Sequence, residues 1–152
     1  MDSNIRKRYE ELKRKQKEST KKKRKNDNIL LKECLESLQN AGHILSDEQE
    51  QYVLQRFTKE VPMTEWGRVD WKKINLCKRV NYYNELSKML IEDEYYIIWG
   101  EGLPVVQCKL EYILKGIDDV VAVDFDTWLV SKDFLEIVEI YHEGEIKVGR
   151  LS

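Results

Sequence analysis

The chain has 152 residues, of which 41% are hydrophobic and 36% are charged, and its formal net charge is −2. This length suits one ordinary domain with an appendage. No apolar run reaches the roughly 18 residues of a membrane-spanning helix, and the charged N-terminus lacks the apolar centre of a secretory signal. We therefore expect no membrane association.

The small net charge conceals two halves of opposite sign. Residues 1–32 contain 13 Lys and Arg against 5 Asp and Glu, whereas the remaining residues contain 13 against 23. Such an asymmetry bears on the partners of a protein more than on its fold. Residues 1–26 are predicted to form a basic, partly solvated helix or disordered arm, and residues 27–152 a single α+β domain.

The cysteines are odd in number and too widely spaced for a disulfide framework or a zinc site. Each of Cys34, Cys77 and Cys108 lies among apolar residues and is predicted to be a small side chain of the core. Unpaired cysteines are typical of a reducing compartment, so the sequence predicts a cytoplasmic protein.

Two helices are predicted at the start of the domain. Apolar residues recur at helical spacing over residues 29–38, and Gly42 is a suitable helix stop. Ser46 and Gln49 have the spacing of a capping box, which indicates the start of the second helix. The short loop between the two helices predicts an αα-hairpin over residues 27–60.

Residues 63–93 have a less regular pattern. Trp66, Trp71 and Ile74 are predicted to be buried, and a short helix is predicted over residues 81–91.

The remaining residues, 94–151, predict a sheet. Strands are expected over residues 95–99, 120–130, 135–141 and 146–151, with a helix over 104–115 and a hairpin turn at Glu143–Gly144. The order of elements is an αα-hairpin followed by β-α-β-β-β. It predicts an α+β fold, with a mostly antiparallel sheet and helices on one of its faces.

The strand predicted over residues 120–130 has two different faces. Alternation places Phe125 towards the helices, and places Asp124, Asp126 and Trp128 together on the opposite, exposed face. Carboxylates beside a tryptophan are typical of an interaction surface. Charges on a solvated sheet face also prevent edge-to-edge aggregation, and this reading stays open.

No catalytic constellation is evident in the sequence. His43 and His142 are predicted to be loop and turn residues, and no phosphate-binding, hydrolase or zinc-protease motif occurs. Asp124 and Asp126 with Glu145–Lys147 have only a faint likeness to the carboxylates of metal-dependent nucleases. We therefore predict no catalytic residue, no metal site and no cofactor.

Five segments of the region from Tyr95 to Leu151 are distinctive in sequence. They are Tyr96–Trp99, Leu103–Val106, Ile117–Val120, Asp124–Leu129 and Glu139–Glu145. Together they resemble immunity proteins of bacterial toxin–immunity systems, in particular those of contact-dependent growth inhibition. The strongly basic N-terminus departs from the acidic character usual in such proteins.

The resemblance implies a non-enzymatic protein that binds a cognate bacterial toxin domain and occludes its active site. Such toxins are often nucleases, so the implied partner is basic. Acidic side chains would attract this partner, and aromatic side chains would slow its dissociation. The residues predicted to contact it are Asp124, Asp126, Trp128, Glu101, Trp99 and Glu143.

A second hypothesis is a nucleic-acid-associated protein. Lys21, Lys22, Lys23, Arg24 and Lys25 form an uninterrupted basic run, which could contact phosphates without base specificity. The run contains no aromatic side chain that could stack on bases. It could equally lie against the acidic half of the chain or stay solvated.

Overall fold

The computed structural model describes residues 28–151, and the basic run at residues 21–25 lies outside them with the rest of the predicted arm. Within the described residues, seven strands form one sheet. The strands are β1 (His43–Ile44), β2 (Leu76–Val80), β3 (Glu94–Ile98), β4 (Val106–Lys109), β5 (Thr127–Ser131), β6 (Glu136–Ile140) and β7 (Ile146–Arg150). Their order is β1-β4-β3-β5-β6-β7-β2, and every pairing is antiparallel. The α+β class and the antiparallel sheet are as predicted.

Helices cover both faces of the sheet, not one face as predicted. They are α1 (Ile29–Ser37), α2 (Asp47–Glu60), α3 (Leu86–Met89), α4 (Leu110–Lys115) and α5 (Ile117–Ala122). On β5, Leu129 packs in the core beneath α1, α4 and α5, whereas Trp128 and Val130 pack in a second core beneath α2. The second core is completed by residues 61–74, which cross the sheet between α2 and β2.

The two N-terminal helices do not form the predicted αα-hairpin. The capping box of Ser46 and Gln49 starts α2 as predicted. Between the helices, however, the chain forms β1, which pairs with β4. Cys34 of α1 lies in the first core and Phe57 of α2 in the second, so the sheet separates the two helices. The helix stop predicted at Gly42 is also wrong, because α1 already ends at Ser37.

The strand predicted over residues 120–130 is wrong in its first half. Residues 117–122 form α5, and β5 begins only at Thr127. Ile117, Val120 and Val123 recur at helical spacing and are buried in the first core. Their burial outweighs the weak helix propensity of β-branched side chains. The helix predicted over residues 104–115 likewise begins late, after β4.

Other sequence predictions have mixed outcomes. The strands at β3, β6 and β7 are confirmed, as is the turn at Glu143–Gly144, where Gly144 has a positive φ of 89°. Cys34 and Cys108 are buried, but Cys77, on the edge strand β2, is exposed. Trp66, predicted to be buried, is 78% exposed.

Candidate protein-binding surface

One end of the sheet gathers loops from distant parts of the chain. β3 ends, β5 begins, β6 ends and β7 begins at this end, as the pairings of Ile98 with Trp128 and of Ile140 with Ile146 require. We call it the loop-end surface. It consists of residues 65–68, 100–102, 124–126 and 141–145.

Asp124 joins two of these loops. Its Oδ2 accepts a hydrogen bond of 3.0 Å from the backbone N–H of Gly100. A Cβ atom on Gly100 would lie 2.6 Å from the same oxygen, so a larger residue at this position would displace the carboxylate of Asp124. The carboxylate therefore fixes the turn after β3 against the segment that leads into β5.

Asp126 joins a second pair of loops. Its Oδ1 accepts a hydrogen bond of 3.0 Å from the backbone N–H of His142 and lies 3.2 Å from Nδ1 of the same residue. The segment before β5 is thereby tied to the turn between β6 and β7. Asp124 and Asp126 both lie on the loop-end surface, in a loop and not on the strand where alternation had placed them.

Phe125 lies between these two aspartates and is 80% exposed. Its ring centroid is 6.1 Å from that of His142, which in turn is 4.1 Å from that of Tyr141. The prediction that Phe125 faces the helices is wrong, because it rested on a strand that begins two residues later. Glu101 and Glu143, two further predicted contact residues, are exposed on the same surface.

The two tryptophans predicted as toxin contacts are buried. Trp128 is 9% exposed and packs edge-on against Phe57 of α2, with ring centroids 6.3 Å apart. Trp99 is 4% exposed, and its indole N–H donates a hydrogen bond of 3.0 Å to the carbonyl of Val120. The open face that Trp128 was predicted to share with Asp126 does not exist, because α2 and residues 61–74 cover it.

Glu139, on β6, is the most heavily hydrogen-bonded side chain beneath this surface. It is 1% exposed. Its Oε2 accepts from the backbone N–H of Val69 at 2.6 Å and from the indole of Trp128 at 3.0 Å. Its Oε1 accepts from the indole of Trp71 at 3.1 Å and from Nη2 of Arg68 at 3.0 Å. Four donors offset the cost of removing the carboxylate from water.

Sequence reasoning missed Glu139, although the sequence contains a signal for it. Glu139 is the one charged residue in the run Ile137–Tyr141, and a carboxylate inside a buried strand needs donors from elsewhere in the fold. Three of the four donors come from residues 68–71, about seventy positions earlier in the chain.

Arg68 connects the buried Glu139 to the loop-end surface. Besides Glu139, it binds Glu145 at 3.1 Å, and its guanidinium lies 3.8 Å from the centroid of the Tyr141 ring. Burial alone would lower the pKa of Arg68, but its hydrogen bonds with Glu145 and Glu139 outweigh this effect and raise it. The hydrogen bond from Arg68 also lowers the pKa of Glu145. Both side chains therefore stay charged at neutral pH.

The carboxylates of this region are not arranged as a metal site. Among residues 28–151, no three His, Cys, Asp or Glu side chains group so that they could hold a metal ion. Asp124 and Asp126 bind different loops, and Glu145 pairs with Arg68 and, at 3.3 Å, with Lys147. The same part of the chain has no helix that is long and apolar enough to cross a membrane.

Glu139→Gln is expected to lower the free energy of unfolding by about 3 kcal/mol, because an amide cannot accept all four hydrogen bonds and leaves buried donors unpaired. Urea unfolding followed by circular dichroism measures the change. Glu145→Gln is a matched control on the same arginine. We expect it to cost less than about 1 kcal/mol, since Glu145 is partly exposed. Equal losses in the two variants would contradict a structural role for the buried carboxylate.

Comparison with known proteins gives one family. No curated protein matches the chain significantly. The model of the family described as CdiI immunity protein EcoliA0-like matches residues 28–149, which is most of the chain and extends well before the segments that carry the resemblance in sequence. The chain therefore belongs to the CdiI immunity protein family, whose members protect cells against the toxins of contact-dependent growth inhibition.

Proposed function

We propose that this protein neutralises a cognate toxin domain in the cytoplasm by binding it in a one-to-one complex that covers the active site of the toxin. The match to the CdiI immunity family over residues 28–149 is the observation that carries this function. The loop-end surface supports binding as the mechanism, because its loops are held in place by Asp124, Asp126 and Arg68.

The charge of the loop-end surface favours a basic, nuclease-like toxin. The carboxylates of Glu101, Asp124, Asp126 and Glu143 lie there, and residues 33–152 as a whole have ten more acidic than basic side chains. Opposite charges on two partners steer their encounter and raise the association rate. On this view the acidic side chains take the place of the phosphates that a nuclease would bind.

Trp128 and Trp99 would support the loop-end surface from within the core. Trp128 donates to Glu139, which holds Arg68, and Trp99 ties the end of β3 to α5. Both tryptophans therefore act as positioning residues, and direct contact with the toxin falls to the exposed side chains above them.

Occlusion predicts a simple stoichiometry. Toxin activity should fall linearly as the immunity protein is added and should reach zero at one equivalent, because each toxin molecule is blocked by one immunity molecule. Titration of the purified toxin domain at concentrations well above the dissociation constant measures this. Complete inactivation by a small fraction of an equivalent would contradict occlusion and would indicate an enzyme.

Asp124→Asn with Asp126→Asn tests the charge of the surface. The amide oxygens can still accept from Gly100 and His142, so the loops should stay in place while two charges are lost. We expect the association rate with the toxin domain to fall about tenfold at low salt, and the difference to shrink at high salt. Stopped-flow fluorescence measures these rates.

Glu33→Gln with Glu36→Gln is the matched control for that experiment. It removes the same charge from exposed positions of α1, which packs beside α5. Its association rate should stay within about twofold of wild type. Equal slowing by both double variants would show that only the net charge matters and would contradict a contact at Asp124 and Asp126.

The basic run at residues 21–25 supports a separate hypothesis of nucleic-acid binding. Neutralised phosphates release counterions, so such binding should be strong at about 50 mM salt and should weaken steeply as salt is added. Deletion of residues 1–25 should abolish it. Fluorescence anisotropy with labelled RNA and DNA decides the point, and absence of binding by the full chain at about 50 mM salt would refute this hypothesis.

A further inference from the structure

Two aromatic side chains at the loop-end surface are the most exposed large hydrophobic residues among residues 28–151. Trp66 is 78% exposed and Phe125 is 80% exposed. A single exposed apolar side chain is ordinary in a soluble protein. Two features set this pair apart, namely a series of contacts that leads from Phe125 to Arg68, in the loop of Trp66, and the hydrogen bonds that hold the loops of both side chains.

Contacts between side chains lead from Phe125 towards the loop of Trp66. Phe125 contacts His142, with ring centroids 6.1 Å apart, and His142 lies 4.1 Å from Tyr141. The guanidinium of Arg68 covers the other end of this strip, 3.8 Å from the Tyr141 ring centroid. Trp66 stands two residues before Arg68, at the tip of its loop. This strip therefore runs from Phe125 to the loop that carries Trp66.

The loop of Trp66 is held more firmly than a simple connection requires. Within the loop, the backbone N–H of Thr64 donates to the carbonyl of Arg68 at 2.7 Å, and Gly67 supplies the positive φ of 81° at the tip. Beneath it, Glu139 binds Arg68 and Val69. A side chain presented on a fixed loop loses little conformational entropy when a partner covers it.

Phe125 is fixed in the same manner. The residue before it binds Gly100 and the residue after it binds His142, so both flanks of Phe125 are tied to neighbouring loops. Exposed aromatic rings on fixed supports are the side chains that most often dominate the binding energy of a protein interface.

The charges around this strip identify the kind of partner. Glu65, Asp124, Asp126 and Glu143 belong to the loops around it. Two cations lie nearby, of which Arg68 is engaged by Glu139 and Glu145, and Lys147 by Glu145. A second copy of this chain would bring like charges together, and a nucleic acid would be repelled for the same reason. A basic protein surface fits, because Lys and Arg side chains also bind the faces of aromatic rings.

From these observations we infer that Trp66 and Phe125 are the two anchors by which this protein holds the basic surface of its toxin, an inference that rests on the proposed function. Each aromatic side chain can bury about 150–250 Å². Together they would supply roughly half of the 800 Å² or so that one partner contributes to a standard interface.

Trp66→Ala and Phe125→Ala test this inference with the purified cognate toxin domain. Each substitution should weaken binding by a factor of about 30 or more, mainly through faster dissociation. Ile91→Ala and Tyr82→Ala are controls, because these side chains are 72% and 69% exposed and lie outside the loop-end surface. They should bind within about threefold of wild type. Surface plasmon resonance gives the rates, and circular dichroism checks each fold.

A second pair of variants tests the charge of the partner. Trp66→Glu and Trp66→Lys both remove the aromatic anchor, but Lys adds a positive charge. With a basic toxin surface, Trp66→Lys should bind about tenfold more weakly than Trp66→Glu at low salt. The reverse order would contradict a basic partner at this position. Because the comparison is between two variants of one residue, a shared loss of stability does not affect it.

The possible outcomes test the two anchor residues and the proposed function separately. If the wild-type protein neither binds the toxin domain nor protects cells from it, the proposed function is wrong. If wild type binds and protects while Trp66→Ala and Phe125→Ala bind within about threefold of it, the function stands and the anchors are wrong. Self-association of wild type that is lost in Trp66→Ala would instead identify a second copy as the occupant, and sedimentation velocity detects it.

Discussion

A single buried carboxylate organises both the core and the surface of this protein. Glu139 lies on β6 beside the central strand and receives hydrogen bonds from Arg68, Val69, Trp71 and Trp128. Removed from water, an ionised carboxylate is tolerated only when it is surrounded by donors. Three of its four donors come from residues 68–71, so the need to satisfy Glu139 fixes how this irregular segment crosses the sheet. The position of α2 over Trp128 follows from the same packing.

Two partly exposed carboxylates of the loop-end surface also hold separate segments of the chain together. Asp124 holds the turn at Gly100, and Asp126 holds the turn at His142. Their charges stay partly open to solvent, so one set of groups both fixes the loops and gives the surface its sign. A protein inhibitor gains from this arrangement, because rigid loops lose less entropy on binding and a uniform charge speeds the encounter.

The sequence predicts the local elements of this fold better than it predicts how they pack. The capping box at Ser46, the strand at β3 and the β6–β7 hairpin follow from local patterns, and all three form. Ile117, Val120 and Val123 are β-branched residues that are compatible with a strand or a helix. Their burial in the core beside α1 favours the helix. The strands β1 and β2 are short or exposed, and they depend on pairing with distant partners.

The candidate site could also be predicted only in part, because the exposure of its side chains depends on how distant elements pack. Alternation along a strand defines two faces but does not say whether each is covered, so Trp128 was placed in solvent when α2 in fact lies over it. Asp124 and Asp126 were expected on an exposed acidic surface, and they do lie on the loop-end surface, although in a loop. The segment that follows Trp66 is held by Glu139 through Arg68 and Val69, and no local pattern shows which residues, about seventy positions away, pair with this carboxylate.

Hydroxyl-radical footprinting of the complex tests the central claim most directly, because it reads out which side chains the toxin domain covers without altering any of them. The account predicts strong protection at Trp66, Phe125 and the His142 turn, with unchanged labelling of exposed Tyr52 and Ile91. Protection at Leu76 and the rest of the β2 edge, with Trp66 and Phe125 labelled as in the free protein, would contradict it.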